Sequence, residues 1–206
     1  MLAVGAEPIR LPIGGDAATQ VLSVNHIADY AALRARLAAV AHPARVLIMG
    51  ASLIGCEFAD DLLEHGHHVT LVDPHPLPLA ALAAPSLSRG LADAWRGRAL
   101  SLRLGTTVAS VNHAHGACQV SLNDGTQVTA DVVLSAVGLR PSVALARTAQ
   151  LDIRRGIVVD AFGRTSAEGI YALGDCAEYS TGSGARVLPY VAPLLAAARA
   201  IAATLA

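Results

Sequence analysis

The spacing of apolar positions along this chain changes repeatedly, and each change predicts an element. Asp29 to Val40 carries Leu33, Leu37 and Val40 on one face while Arg34 and Arg36 look outward, a helix that His42-Pro43 should end. Arg45-Val46-Leu47-Ile48-Met49 is then a continuous apolar run that stops at Gly50, the pattern of a parallel strand buried on both faces. Helical spacing returns at Leu53, Ile54, Phe58, Leu62 and Leu63, with Gly66 placed as a C-terminal cap. A second run, His68-Val69-Thr70-Leu71-Val72, ends in Asp73. Pro74, Pro76 and Pro78 mark a rigid loop, and Ser86 to Arg98 reads as a helix with Leu87, Leu91 and Trp95 on one face. From Leu100 the period falls to two. Val108 and Val111, Val120 and Leu122, and Val128 surround Asn123-Asp124-Gly125, a strong hairpin signal, so a small antiparallel meander is expected before the buried strand Asp131 to Ala136. Val137-Gly138-Leu139-Arg140-Pro141 should turn out of the sheet. Further on come Gly156 to Asp160, Gly169 to Asp175, and Pro189 to Pro193 opening a terminal helix, with Pro193 suited to its first turn. Met1 to Asp16, with Gly5, Pro8, Pro12, Gly14 and Gly15, reads as loop with at most one short strand.

Strand, tight turn, helix, strand, acid is the order of a dinucleotide site. Gly50-Ala51-Ser52-Leu53-Ile54-Gly55 would supply the turn, the helix N-terminus would face a pyrophosphate, and Asp73 would accept hydrogen bonds from ribose hydroxyls. Ser52 replaces the middle glycine, where backbone usually approaches the pyrophosphate most closely, so a cost in affinity is expected. No arginine directly follows Asp73, which favours NAD over NADP because a carboxylate repels a 2′-phosphate; His75 is near enough to temper that preference. The competing reading is an ordinary strand-to-helix turn.

Composition narrows the function classes. The chain has 206 residues and a formal net charge of −1, so it carries no electrostatic footprint for nucleic acid. Cys56, Cys118 and Cys176 form no C-x-x-C pair and no zinc spacing, which points to a reducing compartment, three buried thiols and no dithiol active site. No basic segment followed by an apolar stretch opens the chain, so a cytoplasmic location is expected. Val187 to Ala206 is apolar except for Arg199, but Pro189, Pro193 and many alanines favour a buried amphipathic helix over a membrane span. Glu64-His65-Gly66-His67-His68 and His75 invite a metal reading, and His113 and His115 a weaker one; a polar turn is the better account. Ser52 lacks the G-x-S-x-G elbow of a serine hydrolase.

Ile54-Gly55-Cys56-Glu57-Phe58-Ala59, Ala136-Val137-Gly138-Leu139-Arg140-Pro141 and Ile170-Tyr171-Ala172-Leu173-Gly174-Asp175-Cys176-Ala177, in this order, resemble the FAD-dependent pyridine nucleotide oxidoreductases, nearest to the rubredoxin-NAD reductase branch. Ala3-Val4-Gly5-Ala6-Glu7-Pro8 is similar to that family's exit from its first FAD segment, and Leu188 to Leu194 also fits the branch. The resemblance implies an α/β fold: a Rossmann-like three-layer NAD(P)-binding domain with a β-meander insertion, plus parts of a split FAD-binding domain. It implies residues 1–42 as a partial FAD-binding segment and connecting helix, 43–141 as the NAD-binding domain, and 142–206 as the C-terminal part of the FAD-binding domain. It implies FAD and NAD as cofactors, with Gly5, Gly50, Ser52, Leu53, Ile54, Gly55, Glu57, Asp73, Gly138, Gly174, Asp175 and Val187 binding them and no catalytic side chain of its own. Glu57 would lie near where nicotinamide meets flavin, Asp175 would hold the ribityl chain, and the terminal helix would aim its N-terminus at the flavin pyrimidine. A simple helix-dipole acid for Glu57 and a turn aspartate for Asp175 stand as the plainer readings.

The family's opening glycine-rich FAD loop and its C-terminal interface domain find no counterpart here, so the chain looks truncated at both ends. The resemblance implies an NADH oxidoreductase that passes electrons through flavin to a small redox protein such as rubredoxin, with a separate chain supplying the missing FAD segment as a second candidate partner. The alternative is a non-catalytic NAD-binding remnant. A disulfide reductase would need the absent cysteine pair.

Overall fold

A computed structural model describes residues 1–40, 43–181 and 184–205; His42 lies outside the described residues, and the first helix, expected over Asp29 to Val40, ends earlier, at Ala38. In chain order, β1 (Ala6–Pro8) and a 3-10 turn (Ala18–Gln20) precede α1 (Ile27–Ala38), β2 (Arg45–Met49), α2 (Leu53–Glu64), β3 (His68–Asp73), α3 (Pro85–Ala94) and β4 (Leu100–Leu104). The meander β5 (Val108–Ala114), β6 (Ala117–Leu122) and β7 (Gln127–Ala130) follows, then β8 (Val132–Ser135) and β9 (Leu139–Pro141). The remainder comprises α4 (Ala144–Thr148), β10 (Ile157–Val159), a 3-10 turn (Gly174–Cys176), β11 (Ala177–Thr181), β12 (Gly184–Val187) and α5 (Val191–Leu205). The chain divides into two compact units, Pro8–Gly138 and Met1–Glu7 with Leu139–Ala206.

In the unit Pro8–Gly138, four parallel strands run in the order β4-β3-β2-β8. Alternation along β2 sorts its side chains between two cores. Val46 and Ile48 join Leu33, Cys56, Leu62, Leu71, Trp95 and Leu134 on the face covered by helices, while Leu47 and Met49 join Val72, Val111, Val120, Leu122 and Val133 on the face covered by the meander. The three layers are therefore helices, parallel sheet and antiparallel meander. The C-terminus of α2 follows the expected glycine cap: Gly66 adopts φ +79°, its amide reaches Leu63 and the His67 amide reaches Leu62. Arg45 fixes the entry to β2 by donating through Nε and Nη2 to Asp131, whose carboxylate also accepts the Arg45 amide; this pairing holds the guanidinium above its ordinary pKa.

Two expectations about this unit need correction. Leu87 does not line the buried face of α3. Pro85 starts that helix, which puts Ser88, Leu91 and Trp95 inward and leaves Leu87 69% exposed. Cys118 is half-buried on β6, so only Cys56 and Cys176 are buried thiols. The meander also contains a second tight turn, at His115-Gly116, where His115 takes φ +49° and Gly116 φ +81°.

The other unit has its own core of Ala146, Leu151, Ile157, Val159, Ala172, Cys176 and Ala177. There β11 pairs parallel with β10 and antiparallel with β12. The amide of Ser142 donates to the Gly5 carbonyl, and Glu7 and Arg140 form an exposed ion pair. The expected terminal helix forms as α5, but it is not buried: of its described side chains only Ile201 is enclosed, while Val191, Leu195 and Leu205 are largely exposed. No helix of the described residues is long and apolar enough to cross a membrane.

Candidate nucleotide-binding site

The strand order reverses direction at β2, since β3 and β4 continue to one side and β8 lies on the other. The carboxyl end of such a switch point opens a crevice in a doubly wound sheet. Gly50 turns the chain there at φ +102°, and a Cβ on it would stand 2.6 Å from the Ala136 carbonyl oxygen at the end of β8. Gly55, in the first turn of α2, approaches still closer, because a Cβ there would lie 1.9 Å from the Gly50 oxygen. The helix start is pressed directly onto the turn, which only two glycines allow.

Ser52 sits at the N-cap of α2 with extended backbone, yet its side chain makes no cap hydrogen bond. Its Oγ donates instead to the Ala136 carbonyl at 3.0 Å. The anticipated obstruction is therefore turned aside, and the amides of Leu53, Ile54 and Gly55 have no side-chain acceptor. Leu53 and Ile54 are exposed, so the partial positive end of the helix lies at the surface.

Asp73 closes the other side. It is 9% exposed, and its Oδ2 accepts the Ala51 amide at 2.7 Å. Its Oδ1 accepts the His75 amide at 2.8 Å and lies 2.8 Å from His75 Nδ1. The acid at the end of β3 thus holds the turn it is expected to serve. Glu57 is exposed on α2 and lines an open groove with Leu53, Ile54, Leu79 and Trp95. Cys56 is buried behind the turn, with Sγ near the Ala51 carbonyl. Burial first, then the charges of Asp73 and Glu57, push its thiol from 9.0 up to about 11. Because the folded pKa is raised, Cys56 contributes stability that is complete below pH 9 and lost as pH rises toward 11. We expect a Cys56→Ala variant to lack that component, so urea midpoints of wild type and variant should converge between these pH values; an unchanged gap would contradict a buried, neutral thiol.

The structure thus brings Gly50, Ser52, Leu53, Ile54, Gly55 and Asp73 together, with Glu57 one turn further along α2. Gly138 ends the same unit, its carbonyl accepting the Ile9 amide. Gly5, Gly174, Asp175 and Val187 belong to the other unit. There Asp175 lies in the 3-10 turn with a half-exposed carboxylate that makes no hydrogen bond among the described residues. Val187 pairs with Glu178, and the Leu173 amide reaches the Leu2 carbonyl near Gly5.

Sequence reasoning missed Ala136, whose carbonyl receives Ser52, and the contact of Asp73 with Ala51. The adjacency of β8 and of β3 to β2 would have exposed them, but pairing is invisible in a local pattern. The histidines do not converge: no group of His, Cys, Asp or Glu among the described residues could hold a metal. His67 Nδ1 accepts the Ala44 amide, and burial lowers its pKa, while His113 meets Gln20.

Rubredoxin-NAD(+) reductase of Alcanivorax borkumensis is 47% identical over all of this chain and 52% of its own length. The protein of the same name from Acinetobacter baylyi is 42% identical over all of this chain and 51% of its length. Among solved structures, the covalent putidaredoxin reductase-putidaredoxin complex matches 98% of this chain and half of its own with a TM-score of 0.89 at 30% identity. The chain therefore spans about half the length of the curated relatives it matches. Residues 1–198 match the family described as pyridine nucleotide-disulphide oxidoreductase, and the chain belongs to that family.

Proposed function

We propose that this chain is the body of an FAD-dependent NADH oxidoreductase that passes electrons to a small redox protein of the rubredoxin kind, in the cytoplasm. The observation that carries this reading is the start of α2, where Ser52 bonds to Ala136 and the amides of Leu53, Ile54 and Gly55 are left without a side-chain acceptor, next to the turn that Asp73 holds. Gly50, Ser52, Leu53, Ile54 and Gly55 would cradle the NAD pyrophosphate, Asp73 would accept from the adenosine ribose, and Glu57 and Gly138 would border the nicotinamide end. Residues 43–141 would act as the NAD-binding domain, 142–206 as the C-terminal part of the FAD-binding domain, and 1–42 as a partial FAD-binding segment and connecting helix.

For FAD, the carboxylate of Asp175, with no hydrogen bond among the described residues, fits an acceptor for ribityl hydroxyls, and Gly5, Gly174 and Val187 belong to the same unit. FAD, when bound, supplies the conversion between two-electron and one-electron transfer. The chain's own residues would bind, orient and shield it. The names of the relatives, rubredoxin-NAD(+) reductase above all, support the partner class.

The test is a purified sample of the full chain, assayed for flavin absorbance near about 450 nm and for NADH binding by fluorescence. Bound flavin with NADH-dependent bleaching supports the oxidoreductase. Colourless protein that binds NADH supports a nucleotide-binding remnant, and folded protein that binds neither overturns the reading.

A further inference from the structure

We propose that His75 sets the coenzyme preference of this site and makes it depend on pH, so that acid shifts binding from NADH toward NADPH. The inference rests on the NADH reading of the α2 turn. An ionised carboxylate offers about four acceptor positions. The Ala51 amide, the His75 amide and the His75 ring take three of those on Asp73. One remains for a ribose with two hydroxyls. Full engagement of the ribose therefore requires the imidazole to leave Oδ1.

The ring is free to do so. The His75 side chain is 57% exposed, whereas the Asp73 carboxylate beneath it is 12% exposed. The backbone at this point is anchored independently, since the His75 carbonyl accepts the Gly105 amide and the Asp73 carbonyl accepts the Thr106 amide. Asp73 is the charge in contact with the ring. Cys56 of α2 lies close enough to Asp73 for that charge to raise its thiol, and Arg103 of β4, whose neighbour in register is Val72, acts on Asp124 of the β6–β7 turn.

A neutral ring donates one hydrogen bond to the Asp73 carboxylate, and a ribose hydroxyl can donate in its place. A protonated ring adds ion pairing to that hydrogen bond, which a neutral hydroxyl cannot match. Acid thus closes Asp73 to the 2′-hydroxyl of NADH. It also neutralises the carboxylate that repels a 2′-phosphate, and the second ring N–H becomes a donor to that phosphate. Both effects move the ratio of affinities in the same direction.

The full chain is titrated with NADH and with NADPH, following coenzyme fluorescence at about pH 8 and about pH 5.5, beside a His75→Asn variant. The expected result is that Kd(NADPH)/Kd(NADH) falls on the order of tenfold on acidification in the wild type. The variant should show a much smaller change, which is the baseline for titration of the 2′-phosphate itself. It should also bind NADH more tightly than wild type at the lower pH. Equal pH dependence of the ratio in the two proteins overturns the role of His75 while leaving the NADH site intact. Failure of both proteins to bind NADH at either pH, in samples whose circular dichroism matches a folded chain, overturns the reading beneath it.

Discussion

Replacing Gly55 by valine should abolish NADH binding and unfold the unit Pro8–Gly138 more readily than any other single change at the site. A Cβ at this position falls 1.9 Å from the Gly50 carbonyl oxygen, and that atom is backbone, fixed by the Gly50 amide's own bond to Val72. The clash can only be relieved by lifting α2 away from β2. That movement would open the helix-side core at Cys56, Ala59 and Leu62. Overpacking of this kind typically costs about 1–3 kcal/mol, and displacement of a helix adds to it. We expect a clear drop in the urea midpoint and a loss of NADH affinity of at least about a hundredfold, because the donors proposed to face the pyrophosphate move with the helix. Gly90→Ala is the control, since nothing lies within 4 Å of a Cβ there on exposed α3. It should stabilise by about 0.5–1 kcal/mol. Wild-type stability and affinity in Gly55→Val would show that the helix does not press on the turn.

Asp73→Ala carries the second large effect, and it acts on stability and recognition together. Ala51 is 2% exposed, so removal of the carboxylate leaves its amide buried without the acceptor it has now. An orphaned buried donor costs about 1–3 kcal/mol. The same substitution deletes the proposed ribose acceptor and the repulsion toward a 2′-phosphate, so NADH affinity should fall by about tenfold or more while NADPH affinity changes much less. Asp73→Asn separates the two contributions. Its amide oxygen still accepts from Ala51, so most of the stability should return, but the charge that discriminates between the coenzymes does not. If both variants lose NADH and NADPH equally, Asp73 is a structural acid alone.

The sequence spelled out β2, α2 and β3 almost residue for residue because each is encoded locally: a doubly buried run, a helical stripe closed by glycine, and a second run ending in an acid. The β6–β7 hairpin was equally readable from Asn123-Asp124-Gly125. Its partner turn at His115-Gly116 was not, because His-Gly is not among the Asn-Gly, Asp-Gly and Gly-Gly pairs that mark two-residue hairpins. The phase of α3 was misread for a related reason. Leu87 looks like a core residue by hydrophobicity, but the helix start at Pro85 determines which face turns inward, and Ser88 takes the buried position. At the site, the glycine spacing identified the turn, yet the direction of the Ser52 side chain depended on Ala136, 84 residues away. Such contacts are set by strand order, which composition and periodicity do not encode. The exposure of α5 has the same origin: its apolar stripe is plain in the sequence, but what it packs against is not.

An N-cap serine that bonds elsewhere has a consequence for the lifetime of the protein. Because the first amides of α2 have no side-chain acceptor, an anion bound there as proposed would couple occupancy to folding. Ligand at a hundred times its dissociation constant adds about 2.7 kcal/mol to the folded state. Starvation for the proposed coenzyme would withdraw that support and expose the chain to proteases, so its abundance would follow the cell's supply of that ligand.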